Sequence, residues 1–116
     1  MVKRKNGFDR GDIVFVDFNP SVGHEQREGR PALVLSPKLF NDLGMAFVAP
    51  ITQGGGKSRH DGFTVAVSGT GLKTQGVVLL SQARMIDLVS RHAKFVEKAD
   101  EVVVTDALMK FSAIID

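Results

Sequence analysis

Five short runs dense in β-branched and aromatic residues dominate the first 80 positions: DIVFVDF (12–18), PALVLS (31–36), MAFVAPI (45–51), FTVAV (63–67) and GVVLL (76–80). Each is too short for a helix that holds itself together in water, which needs about 12 residues or more, and each matches the length of an ordinary strand. Glycine, proline and charged residues separate them. The short segments ARMIDL (83–88) and KFVEK (94–98) extend the same pattern. A chain built this way is expected to wrap into a small, strongly bent antiparallel sheet or barrel.

Two segments break the pattern. Ser36 and Pro37 ahead of KLFNDLG offer an N-cap, a proline at the first helical position and a glycine stop, which predicts a connector of one or two helical turns. Towards the C-terminus Val104, Leu108, Phe111 and Ile115 recur at helical spacing, opened by Ala99 or Asp100. Pro31 is expected at the first position of its strand, where a missing N–H costs no ladder bond. The fold class is therefore mainly β with α: a barrel, a connector helix and a C-terminal helix.

At 116 residues the chain is expected to form one domain, 1–116. Hydrophobic residues at 43% and charged residues at 24% are ordinary for a globular protein and argue against disorder. No apolar run approaches the roughly 18 residues of a membrane span, and MVKRK leads into NGFDRGD rather than an apolar signal core. A cytoplasmic protein is expected. The absence of cysteine excludes disulfides, thiolate catalysis and cysteine-ligated zinc.

The net charge of +2 is unevenly spread. Residues 95–116 are acidic, whereas the loops before them carry Arg27, Arg30, Lys57, Arg59, Lys73 and Arg84. That distribution suits an anionic ligand such as nucleic acid, and a solvated loop surface produces it almost as readily.

Two familiar motifs fail. HEQRE at 24–28 lacks the second histidine of H-E-x-x-H, since position 28 is Glu28. GGGKS at 54–58 would need glycine at position 51, which is Ile51, and a strand rather than a helix follows it. His24, His60 and His92 lie in three separate segments, so neither a metal nor another cofactor is expected.

GHEQREGRP at 23–31 concentrates an imidazole, carboxylates, an amide and two guanidiniums between two strands. Cleaving a phosphodiester by acid-base chemistry needs a proton acceptor, a proton donor and fixed positive charge on the pentavalent transition state. His24, Glu25 and Gln26 with Arg30 could supply at least two of these. Arg30 is the better placed cation, because Pro31 restricts its backbone; Arg27, mid-loop, has no such anchor. The competing interpretation is a surface ion pair between Glu25 and Arg30 worth under about 1 kcal/mol. On physics alone the two are evenly matched.

The order DRGDIVFVDFNPSVGHEQREGRPALVLSP, then MAFVAPITQGG, then GVVLLSQARMIDL resembles the MazF/PemK/ChpB family of toxins from bacterial toxin-antitoxin modules, over nearly the whole chain. The resemblance implies an SH3-like barrel with appended helices and a homodimer. It implies metal-independent, sequence-specific cleavage of single-stranded RNA, in which the ribose 2′-hydroxyl attacks to leave a 2′,3′-cyclic phosphate and a 5′-hydroxyl. It also implies neutralisation by a cognate antitoxin with an acidic, disordered tail.

Carried over position by position, Arg30 in the G-x-R-P context stabilises the phosphorane and Glu25 is the general acid or base. Thr52 in the P-I-T run contacts the scissile phosphate, and His24 and Gln26 face the substrate. Ser81 and Gln82 are expected in a base pocket. Outside the carry-over, Arg27, Lys57 and Arg59 are candidates for binding the substrate: Lys57 and Arg59 could touch phosphates and are as readily only solvated. Many members carry an aspartate ahead of that glutamine, and PemK-like ones an arginine two residues earlier; here those positions are Ser81 and Leu79.

Other residues are expected to be structural: the eight Phe as core, Arg84 with Asp87 as an exposed pair, Arg91 and His92 as solvated. A second class of function is a non-catalytic, CcdB-like poison on the same fold, against which the GHEQ…GRP pattern speaks. A third is a barrel adaptor whose charged loop is only a rim.

Overall fold

The computed structural model describes residues 7–18, 29–53, 61–69 and 71–116. Its elements follow the apolar runs: β1 (Asp12–Asp17), β2 (Gly29–Val34), α1 (Lys38–Asn41), β3 (Ala46–Thr52), β4 (Thr64–Ala66), β5 (Val77–Leu79), β6 (Arg84–Ile86), β7 (Lys94–Lys98) and α2 (Glu101–Ile115). All strand pairs are antiparallel, in the order β4-β5-β3-β2-β1-β7, with β6 also on β3.

The long strand β3 forks the sheet. Its first half, Ala46 to Val48, pairs with β6, and its last two residues, Ile51 and Thr52, pair with β5. The sheet is thereby bent, as expected, with β4, β6 and β7 as its ends among the described residues.

Both sides of the central strands are buried, because neighbouring residues of a strand point to opposite faces. Ile13, Leu33, Ala49 and Ile51 face one cluster, which Val65, Val78 and Leu80 complete and on which α2 lays Val103 and Ala107. Val14, Val16, Ala32, Val34 and Val48 face a second cluster closed by Phe18, Ile86 and Leu88. The helix face is rotated slightly from expectation: Val104, Leu108 and Phe111 pack against the first cluster, but Ile115, in the last turn, is exposed.

Two local expectations are corrected. Pro31 is the third residue of β2, not the first. It is tolerated there because pairing with β3 begins only at Ala32. Ser36 does not cap α1: its hydroxyl bonds Asn41 and accepts from the Phe47 amide at 2.9 Å, and Pro37 stands at the cap with extended backbone. The free amide of Lys38 is satisfied from a distance, donating to Asp9 Oδ1 at 2.9 Å.

Polar contacts secure the strand ends. Asp12, fully buried, accepts from the Asp9 amide at 2.9 Å and from Lys98 Nζ at 3.0 Å. Glu97 on β7 accepts from the Lys73 amide, the Thr74 amide and the Thr74 hydroxyl at 3.1, 2.8 and 2.6 Å. Partial burial pushes the Glu97 carboxyl up, but the Thr74 hydroxyl, the two amides and the Lys73 charge outweigh it and hold its pKa below the ordinary 4.5.

Candidate functional site

Four strands bring matching ends to one edge of the second cluster: β1 and β3 finish there, and β2 and β6 begin there. Arg30 pairs with Val16 and shares a face with Ala32 and Val34, so its side chain belongs to the rim of that cluster. Pro50 stands opposite Ala32, and Arg84 stands opposite Val48. The registry thus places two arginines, distant in sequence, at the same end of the same face.

Between them lies an open pocket of about 60 Å³ lined by Phe18, Arg30, Pro50, Gln82 and Arg84. Gln82 ends a 3-10 turn, Leu80–Gln82, whose Leu80 is only 1% exposed and anchors the turn in the first cluster. That anchor leaves Ser81 and Gln82 exposed. Thr52 continues the Pro50 face of β3 one pleat further out, half-buried and paired with Val77. Gly29, beside Arg30, has no room for a side chain, since a Cβ there would overlap the Phe15 ring.

The structure therefore gathers Arg30 and Gln82 in one pocket, with Ser81 and Thr52 on the neighbouring turn and strand. His24, Glu25, Gln26, Arg27, Lys57 and Arg59 lie outside the described residues. Leu79 is half-buried in β5, opposite Thr64, and Ser81 brings no carboxylate to the pocket. Among the described residues no three His, Asp or Glu side chains gather as metal ligands.

Arg84 is a pocket residue that the sequence pattern had placed elsewhere. Asp87 does not pair with it: three residues along an extended chain point to opposite sides, and Asp87 Oδ1 instead accepts from the Val89 and Ser90 amides at 3.0 and 3.1 Å. The Arg84 guanidinium donates to the Phe18 carbonyl at 3.1 Å and lies 5.2 Å from the Phe18 ring centroid, within cation–π range.

Arg91 and His92 are not merely solvated either. The turn before β7 folds back onto β1, its Arg91 carbonyl accepting from the Asp17 amide at 3.0 Å. Arg91 Nη1 then donates to the carbonyls of Phe18 and Asp17, and His92 Nδ1 lies 3.3 Å from Asp17 Oδ2. Two guanidiniums thus hold the end of β1, and only one of them lines the pocket.

The model of the PemK-like, MazF-like toxins of type II toxin-antitoxin systems matches residues 9–115. The chain belongs to that family. It is 51% identical to the endoribonuclease toxin ChpB of Escherichia coli K12, with 100% of both chains covered. Among solved structures, MazF from Deinococcus radiodurans superposes with a TM-score of 0.79 at 33% identity, over 94% of this chain and 96% of that one. A MazE-MazF structure from the same organism gives a TM-score of 0.79 at 33% identity, over 92% of this chain and 94% of that one. The expected antiparallel sheet with a terminal helix is thus the MazF-type fold.

Proposed function

We propose that this chain is an endoribonuclease toxin that cuts single-stranded RNA at preferred sequences. The observation that carries the proposal is Arg30, in a chain of this family: its guanidinium is exposed at the rim of the pocket and makes no hydrogen bond or ion pair with a described residue. An exposed cation whose donors no described residue takes up suits an anion that arrives from solution, and a planar guanidinium matches a phosphate in two places at once.

In the proposed reaction the ribose 2′-oxygen attacks the neighbouring phosphorus as its proton passes to a base. The bond to the 5′-oxygen breaks, and that oxygen leaves with a proton from an acid. A 2′,3′-cyclic phosphate and a 5′-hydroxyl result, and no metal ion takes part. Arg30 donates to the non-bridging oxygens, where charge grows in the pentavalent transition state. Glu25, with His24 beside it, handles the protons. Thr52 touches the scissile phosphate, Gln26, Ser81 and Gln82 meet the bases, and Arg27, Lys57 and Arg59 hold the backbone.

The same basic edge suits the acidic tail of a cognate antitoxin, consistent with the MazE-MazF complex of the Deinococcus relative. The working form is proposed to be a homodimer in the cytoplasm. No helix among the described residues is long and apolar enough to cross a membrane.

The deciding experiment is cleavage of a long single-stranded RNA in excess chelator, with 3′ ends mapped, for wild type and Arg30→Ala. Discrete cuts ending in cyclic phosphate, reduced at least about 10²-fold in the variant, are expected from loss of a transition-state donor. Intact RNA with folded, antitoxin-free wild type would overturn the proposal in favour of a toxin that acts by binding a protein target.

A further inference from the structure

The pocket holds a second cation, Arg84, whose grip on the end of β1 is shared with Arg91. Arg84 donates to a carbonyl, that of Phe18, which already accepts a bond from Arg91. Arg91 therefore secures the same end of β1 beside it. Arg84 also has no acidic partner among the described residues, although Asp87 is near in sequence. One of its five N–H donors is spent on Phe18, and the Phe18 ring lies under the guanidinium. Arginine side chains normally lose considerable rotamer freedom when they grip a ligand. This one is already positioned, in the same pocket as Arg30, with donors that no other described residue takes up.

We propose that Arg84 is a phosphate-binding residue that holds the RNA backbone against Arg30. The inference rests on the endoribonuclease proposal above and extends it to the division of labour between two guanidiniums. Arg30, without a partner among the described residues, adjusts to the phosphorane. Arg84, tied to Phe18, makes a contact that is the same before and during reaction. A contact of equal strength in the ground and transition states appears in KM and leaves kcat nearly unchanged.

The test uses the full chain and two variants, Arg84→Gln and Arg84→Lys. Binding to a single-stranded RNA whose ribose 2′-hydroxyls are replaced by 2′-O-methyl, and which cannot be cut, is measured across a salt series. For single strands each phosphate contact contributes about 0.7 to the slope of log affinity against log salt. Arg84→Gln is expected to lower the slope by about that amount and to raise KM about tenfold with kcat within about twofold. Arg84→Lys, which keeps the charge and loses the Phe18 geometry, is expected to restore the slope.

A merely structural role predicts the opposite order: an unchanged slope in Arg84→Gln, with Arg84→Lys no better than Arg84→Gln. Either result overturns the assignment while wild-type cleavage leaves the endoribonuclease proposal standing. Wild type that neither binds nor cuts RNA overturns both.

Discussion

A Cβ atom at position 76 would overlap the Thr52 carbonyl oxygen and stand 2.8 Å from its carbon, and Gly76 has φ +118°, where side chains are strained regardless of space. Gly76→Ala is therefore expected to destabilise the fold by roughly 2–3 kcal/mol, more than the φ penalty alone, because β3 backbone must move. The displaced residue is Thr52, so RNA cleavage should fall in the fraction that remains folded; chemical denaturation and the cleavage assay check the two parts. A variant as stable and active as wild type would show that β3 can shift freely at this end. Single residues of the site were unevenly legible in sequence. Arg30 was singled out over Arg27 by the proline that follows it, but only the family resemblance separated a role in the site from a surface ion pair. Arg84 was not singled out, because nothing in its own neighbourhood says that β6 starts at the end where β2 starts. That follows only from the pairing of both strands with β3.

At the scale of elements, β7 and the segment 71–76 are joined through Glu97, whose carboxylate accepts three hydrogen bonds from Lys73 and Thr74. Its folded pKa lies below the ordinary 4.5. The ionised form is thus the one the fold favours, and its contribution is fully present above the unfolded pKa and lost as pH falls through the folded value. The stability advantage of wild type over Glu97→Gln is expected to be constant near neutrality and to shrink below about pH 4.5. Urea unfolding of both proteins between pH 3 and 7 measures it; an advantage independent of pH would remove Glu97 as the titrating group. The strands themselves were readable from their β-branched runs, and α2 from its spacing. Boundaries decided by tertiary contacts were not: Ser36 looks like a cap in isolation, yet the Phe47 amide and Asn41 claim its hydroxyl. Pro31 likewise reads as a strand opener until β1 pairs past it to Gly29.

For the whole molecule, the consequence of burying both faces of β1–β3 is that the two clusters share a backbone. Leu33 and Val34 are adjacent in sequence, both fully buried, and belong to opposite clusters. Neither cluster can be lost while the strands stay paired as they are. The helix α2 packs on the first cluster, whereas Arg30, Phe18 and Arg84 sit at the end of the second. Far-ultraviolet dichroism, dominated by the helix, therefore reports the first cluster, and the methyl resonances of Ile86 and Leu88 report the second. The two signals are expected to disappear in one transition, at the same denaturant concentration, and to move together if protein concentration shifts that midpoint. Leu33→Ala should lower both midpoints equally, through the loss of roughly 2–5 kcal/mol of unfolding free energy expected of a large core truncation. Methyl signals of the second cluster that outlast or precede the loss of helix would mean that the pocket can melt on its own. The two arginines would then owe their placement to something other than the shared core, such as the RNA they are proposed to hold.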